Sequence, residues 1–418
     1  MAVATIVLLL MMAYCYLLAG MALLRSPDPP AGPAVRLFYV LIIPALNEEA
    51  VIGRTLASLL AMDGDFLILV VDDGSDDATA AVVERFRGDG RVRLLVQPEE
   101  HARRGKGAAL NAAYAEIWRL GLAKRYGADN VVVAVFDSDA QVAPDFLEKL
   151  SSSLADPTVA GVQSAVRMYN GRQNLLTRWQ DFEFAVWGAI FCRAKNLLGT
   201  ATLGGNGQCA RLSALASLGR NPWNPSSLTE DLDLSLRLLL NGWKMRFCPS
   251  TAVWQEAVPT FRRLVRQRSR WMQGHFVCWQ YLPALLRSPL PAGARADLGV
   301  YLLLPSVFLP IGLACVATWA RFSLNFGDWT WTGLVAWYFL GFGLAPVTAV
   351  ALRRTEREPW RACIVHAHLF VFYSFVWFVA AASAFGNVML GRRAWAKTSR
   401  SMAGVAPSVE ASRSTSGG

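Results

Sequence analysis

The chain has 418 residues, 54% of them hydrophobic and 17% charged, with mean hydropathy +0.30 and a formal net charge of +10. A soluble domain carries nearer about 25% charged residues, so a purely soluble protein is excluded, and the charge that remains excludes one buried wholly in a membrane. Disorder is excluded as the dominant state, because this apolar and aromatic content can bury a large core. The seven cysteines, at 15, 192, 209, 248, 278, 315 and 363, never fall as Cys-x-x-Cys, which argues against a zinc site or a disulfide framework and fits a reducing compartment.

In chain order, Met1 to Leu24 contains no charged residue, and Arg25 is followed by Ser-Pro-Asp-Pro-Pro, which cannot continue a helix. The stretch is long enough to span a bilayer, and it lacks the basic n-region of a signal peptide, so 1–25 is expected to be an anchor. Residues 36–256 have the mixed composition of one large domain. Within them Tyr39 to Ile43, Phe66 to Val71, Val92 to Val96 and Val131 to Phe136 read as short strands. Between these, Glu49 to Leu60, Ala78 to Phe86 and Gly107 to Leu120 have helical spacing. Alternation of this kind predicts an α/β domain with a mostly parallel sheet covered on both faces, whose ligands sit beyond the carboxyl ends of the strands.

At those ends stand Asn47-Glu48-Glu49 after the first strand, Asp72-Asp73-Gly-Ser after the second and Asp137-Ser-Asp139 after the fourth. Each cluster alone could be turn or capping chemistry. Three of them converging on one crevice suit a ligand. No Gly-x-Gly-x-x-Gly follows a strand, and Arg104-Gly-Lys106-Gly is not a Walker A loop. Two carboxylates in Asp137 and Asp139 are too few for a calcium cage but suit a divalent ion shared with phosphates. Leu203-Gly-Gly205-Asn206-Gly supplies backbone that can approach a ligand closely. Thr229-Glu230-Asp231 opens an amphipathic helix, where Ser227 or Thr229 could cap and where a carboxylate's ionised form is favoured, as a general base requires.

From Ala257 to Ala296 there are seven arginines and no Asp or Glu, with aromatic residues interleaved. The segment 257–297 is therefore expected to lie as an amphipathic helix on anionic membrane lipid, a reading favoured over nucleic acid by the neighbouring apolar spans. Those spans, within 298–391, are Leu298 to Ala320, Trp329 to Leu352 and Ala362 to Gly391, all uncharged. Arg25, Arg36, Arg353, Arg354, Arg357 and Arg361 place the large domain in the cytoplasm. Four spans would put the polar tail 392–418 outside, whereas Arg392, Arg393, Lys397 and Arg400 favour the inside. A transporter or sensor is disfavoured because the spans hold no internal charge. His366 and His368, two apart on a helix, face different ways and do not read as a metal pair.

Taken in order, Pro44-Ala-Leu-Asn-Glu48, Asp72-Asp-Gly-Ser75, Gly105-Lys-Gly-Ala-Ala-Leu-Asn111, Asp137-Ser-Asp139, Thr229-Glu-Asp231 and Gln267-Arg-Ser-Arg-Trp271 resemble the motifs of the membrane-embedded family 2 glycosyltransferases. That group includes cellulose, hyaluronan, chitin-oligosaccharide and poly-N-acetylglucosamine synthases. The resemblance implies a GT-A (Rossmann-like) fold with one N-terminal and about three C-terminal transmembrane helices in the plasma membrane. It also implies a UDP-sugar donor, Mg²⁺ or Mn²⁺, and inversion to a β-linkage. By the same resemblance Glu48, Asp72 or Asp73, Lys106 and Asp137 hold the nucleotide, and Asp137 and Asp139 hold the metal. Asp231, beside Glu230, takes the acceptor's proton, while Gln267, Arg270, Trp271, Gly205 and Asn206 face diphosphate and acceptor. In the synthases an aromatic pair and Cys-Gly-Ser often precede the acceptor site, where this chain has Thr202-Leu-Gly-Gly-Asn206, so glycan and lipid acceptors both stay open. The leading expectation is a processive synthase of a β-linked glycan, and the alternative is a glycolipid synthase acting on diacylglycerol or a similar lipid. Regulation by an appended cyclic-dinucleotide barrel is not expected. Four spans make a thin channel, so an oligomer would be needed to widen it.

Overall fold

The computed structural model describes residues 2–24, 36–324 and 330–390. Arg25 with the Pro-rich segment after it, and the polar tail 392–418, lie outside the described residues. The elements are α1 (Ala2–Leu24), β1 (Phe38–Ala45), α2 (Ile52–Leu60), β2 (Asp65–Asp72), α3 (Thr79–Glu84), β3 (Val92–Val96), α4 (Lys106–Arg119), α5 (Leu122–Tyr126), β4 (Val131–Val135), β5 (Gln141–Val142), α6 (Phe146–Ser153), β6 (Val159–Met168), α7 (Leu175–Val186) and α8 (Arg193–Asn196). There follow β7 (Gln208–Arg211), α9 (Leu212–Ala216), α10 (Glu230–Leu240), β8 (Lys244–Gln255), α11 (Phe261–Cys278), α12 (Leu282–Arg287), α13 (Ala292–Leu324), α14 (Trp331–Phe342), α15 (Ala345–Glu356) and α16 (Trp360–Met389). A π-helical turn, Trp187–Cys192, joins α7 to α8.

The eight strands form one sheet in the order β3-β2-β1-β4-β7-β6-β8-β5. β1 pairs in parallel with β2 and β4, and β2 with β3, as the alternation of strands and helices predicts. Beyond β4 the expectation of a mostly parallel sheet fails. β7 runs antiparallel to β4 and β6, β5 runs antiparallel to β8, and only β6 with β8 is parallel. The cause is the route of the chain, since the Gly204–Gly207 loop lies at the carboxyl edge, where Gly207 N–H donates to Val135 O at 2.9 Å. A strand that starts at that edge must run down the sheet. Period-two alternation divides the core into two layers: Val40 and Ile42 of β1 pack in one cluster with α4 and α10, and Leu41 and Ile43 pack in the other with α2 and α6.

The C-terminal helices are part of this body. Cys278, Leu285, Leu298 and Leu302 belong to the same cluster as Val40 and Leu236. Tyr14 on α1 donates to Asp297 Oδ1 at 2.6 Å, and Asp297 Oδ2 takes Lys195 and the Thr200 hydroxyl, which ties α1, α8 and α13 together. Among the described residues one helix, α16, is long and apolar enough to cross a membrane, and Leu9–Leu24 forms a shorter apolar helix. The stretch Leu298 to Ala320 lies within the 33 residues of α13. The expected span Trp329 to Leu352 is not one helix. It divides into α14 and α15, 12 residues each, with Pro346 in the first turn of α15, where a proline's missing N–H does no harm. α15 then buries Ala345, Ala349, Ala351 and Leu352 against Phe182 and Val186 of α7 and Cys363 of α16.

Candidate active site

One pocket of about 230 Å³ opens at the carboxyl edge of the sheet, and its walls come from every motif region singled out above. Glu48 follows β1, Asp73 follows β2, and Asp137 and Asp139 follow β4. Gly205 and Asn206 precede β7, Glu230 and Asp231 open α10, and Gln267, Arg270 and Trp271 project from α11. Lys106, the first residue of α4, reaches into the middle of this ring.

Lys106 Nζ lies 3.0 Å from Asp137 Oδ1 and 3.3 Å from Glu230 Oε1. Burial alone would depress its pKa. The attraction of Asp137 and Glu230, with Asp231 behind them, outweighs that and holds the ammonium well above the usual lysine range. The neighbouring carboxylates thus share one fixed positive charge.

Asp231 stands in the first turn of α10, and its position at a helix start predicts a stabilised carboxylate. The balance runs the other way. Burial, then the adjacent Glu230 charge, push it up to about 7 against the counter-pull of Lys106. Desolvation of a nearly enclosed carboxylate exceeds the helix-terminus effect, which is modest. The capping explanation for the motif also fails, because Thr229 is the N-cap residue yet its side chain makes no capping hydrogen bond. Gly205 has φ +87°, and a Cβ there would lie 3.1 Å from Asp231 Oδ2 and 3.5 Å from Lys106 Nζ. A glycine is what lets the loop come this close to the charged pair.

The acidic pair in the second motif separates. Asp72 Oδ1 accepts from the backbone N–H and the hydroxyl of Ser75, and Asp72 does not line the pocket. Asp73 does line it, accepts from Arg103 N–H at 2.9 Å, and is pushed up to about 6, chiefly by burial. Asn206 has a positioning task. Its Oδ1 accepts from Asp137 N–H at 3.1 Å and its Nδ2 donates to Gln255 at 2.9 Å, so its amide fixes the ends of β4 and β8 from within the pocket wall. Asp139 Oδ2 accepts from Glu256 N–H at 2.9 Å, which ties the end of β4 to the end of β8.

The reading of 257–297 as a lipid-facing surface needs correction. α11 does expose Arg262 and Arg266, but Arg268 is buried, and Arg263 and Arg270 turn to the pocket. Counting charges along a segment does not reveal which helical face carries them. The spacing 263, 267, 270, 271 is one helical face and could have found Arg263. Gln163, Gln208 and Glu256 were also missed. Gln163 accepts from Gly204 N–H and donates to Asn206 O, and Gln208 accepts from Gly205 N–H, so both shape the glycine loop from strand positions that carry no motif.

The pocket walls hold seven carboxylates, Glu48, Asp73, Asp137, Asp139, Glu230, Asp231 and Glu256, against three cations, Lys106, Arg263 and Arg270. Among the described residues no three His, Cys, Asp or Glu side chains gather as a self-sufficient metal cage. An anionic diphosphate entering so acidic a site calls for a cation carried partly by its own oxygens, and Asp137 with Asp139 fit as the protein's share of such a site. Arg270 lines the pocket, and its Nε is buried with no hydrogen-bond partner among the described residues.

A mixed α/β sheet with a site of this kind at its carboxyl edge defines a class, the glycosyltransferases of GT-A type. A mannosyltransferase from Pyrobaculum calidifontis, solved with GDP-Man and Mn2+, has the same fold, with a TM-score of 0.58 at 19% identity over 92% of this chain and 98% of that one. The chain itself belongs to the family described as "Glycosyltransferase like family 2", which its residues 36–274 match. By this membership it is a glycosyltransferase. A beta-monoglucosyldiacylglycerol synthase from Synechocystis is 33% identical over 290 residues, 67% of this chain and 57% of the relative, so the chain spans just over half of that protein's length. An N-acetylglucosaminyltransferase from Rhizobium leguminosarum is 27% identical over 365 residues, 76% of this chain and 80% of the relative.

Proposed function

We propose that this enzyme transfers a sugar, with inversion, from a UDP-sugar to the hydroxyl of a lipid acceptor such as diacylglycerol at the cytoplasmic face of the plasma membrane. The observation that carries the reading is the pairing, in one pocket, of Asp231 raised to about 7 with Lys106, Arg263 and Arg270. A single displacement needs a base on the acceptor side and positive charge on the leaving-group side. Glu48 and Asp73 hold the nucleotide end, and Lys106 orders Asp137 beside the diphosphate. Mg²⁺ or Mn²⁺, when bound through Asp137 and Asp139, would neutralise the departing diphosphate. Asp231, ionised above about pH 7, takes the acceptor hydroxyl's proton. Gln267 and Trp271 form the acceptor wall, and Arg270 balances charge on the departing group.

The lipid acceptor is favoured over the processive synthase by the similarity to glucosyldiacylglycerol synthases. The apolar part of the pocket, Phe184, Val166, Val258 and Trp271, supports it as well, since α11 packs along α16, the helix able to cross a membrane. The polymer reading keeps one specific support, the N-acetylglucosaminyltransferase matched over 80% of its length. In this proposal 1–25 anchors the chain, 36–256 is catalytic, 257–297 couples the pocket to the bilayer, 298–391 supplies the remaining membrane helices and 392–418 is a polar tail. α14 alone, 12 residues and about 18 Å, is short of the bilayer core and needs the start of α15 to complete a crossing. Membranes given labelled UDP-sugars and dioleoylglycerol should yield label that extracts into chloroform as a monoglycosyl lipid. Label retained in a water-soluble or insoluble polymer would reject the lipid acceptor.

A further inference from the structure

Behind the acceptor wall lies a charged cluster that the reaction does not itself use. Glu183, on α7, accepts from Arg268 Nη2 at 2.6 Å, from Tyr373 at 2.6 Å and from Trp377 Nε1 at 2.9 Å. The Arg268 side chain is 1% exposed, and its guanidinium carbon lies 4.1 Å from the Trp271 ring centroid and 5.3 Å from that of Trp377. Trp271 in turn meets Phe184 edge-on at 6.2 Å and Trp377 at 6.3 Å. Three helices thus bear on one indole: α11 carries it, α7 supplies Glu183, and α16 supplies Tyr373 and Trp377.

A buried ion pair is not an economical way to hold a core together, because an apolar replacement of similar volume is often as stable. What the pair adds is direction. A guanidinium is planar, stacks on an aromatic face and presents its donors in a fixed fork, so a carboxylate that fixes the fork also fixes the ring beneath it. We propose that Glu183 is a positioning residue for the acceptor. Through Arg268 and Trp377 it sets the plane of the Trp271 indole, so the acceptor wall follows the placement of α16. The inference rests on the reading of Trp271 as that wall.

The full-length protein in detergent micelles would be compared as wild type, Glu183→Gln, and the double variant Glu183→Gln/Arg268→Met. Glu183→Gln strands a buried cation and should unfold earlier. The double variant removes both charges and should melt near wild type. With UDP-glucose as donor and dioleoylglycerol as acceptor, the double variant should keep its donor KM within about twofold while its acceptor KM rises about tenfold. Donor and acceptor KM rising together, or neither moving in a folded double variant, would overturn the positioning role. A wild type that extends chitotetraose and leaves dioleoylglycerol untouched would reject only the lipid acceptor, and the same comparison then runs on chitotetraose.

Discussion

At the scale of single residues, the site turns on how burial and charge set Asp231. Because its carboxyl titrates at about 7, transfer should rise with pH along an acidic limb centred there. The Glu230 charge is the second cause of the upward shift, so Glu230→Gln should move that limb to lower pH, and a limb that stays put in a pH–rate profile would contradict the coupling. The same shift has a thermodynamic side. Between the ordinary value of 3.8 and about 7 the folded chain keeps a proton that the unfolded chain has lost, so stability falls as pH rises through that window, and the full penalty stands above it. Asp231→Asn removes the penalty and should melt at a higher temperature than wild type at pH 8. An unchanged or lower Tm would reject burial as the cause. The sequence marks Asp231 and Lys106 as chemically important, but not the sign of the shift, which depends on enclosure by loops distant in the chain. Nor does it separate Asp72, which binds Ser75 in its own turn, from Asp73, which lines the pocket.

At the scale of elements, the four parallel strands and the helices between them are readable from apolar runs and turn residues, because each is local. The direction of β7 and the place of β5 beside β8 are not, because they depend on where a loop re-enters the sheet. Two glycines record such close approaches. A Cβ on Gly207, which has φ +69°, would lie 2.4 Å from Ser164 Oγ and 2.7 Å from Val253. Gly207→Ala should therefore destabilise by at least about 1 kcal/mol through strain and overlap, read by chemical denaturation. A Cβ on Gly274 of α11 would lie 2.3 Å from both Thr229 Cγ2 and Oγ1, in the turn that carries Asp231. Gly274→Ala should push that turn and lower kcat about tenfold or more, with the donor KM little changed. An unaltered kcat would mean that α11 can shift without moving Asp231.

At the scale of the whole molecule, catalytic body and apolar helices share a core and a buried ionic tie. Lys195 and Asp297 have side chains 1% and 2% exposed, and Tyr14 and Thr200 complete the set. Asp297→Ala leaves a buried ammonium unpaired and should cost about 3–5 kcal/mol, seen as early thermal unfolding of the purified protein, whereas a small effect would show the tie to be dispensable. Composition discloses that apolar segments flank a normal domain. It cannot disclose that the second C-terminal stretch breaks in two, because nothing in an uncharged run says which side of it meets protein. In the proposed reaction Asp231 acts as base in a site that binds donor independently of it. The most direct measurement pairs UDP-sugar affinity by calorimetry with single-turnover transfer in Asp231→Asn. The prediction is donor binding within about twofold of wild type and transfer slower by about 10²–10⁴-fold. Turnover retained in the variant, or donor binding lost together with transfer, would contradict it.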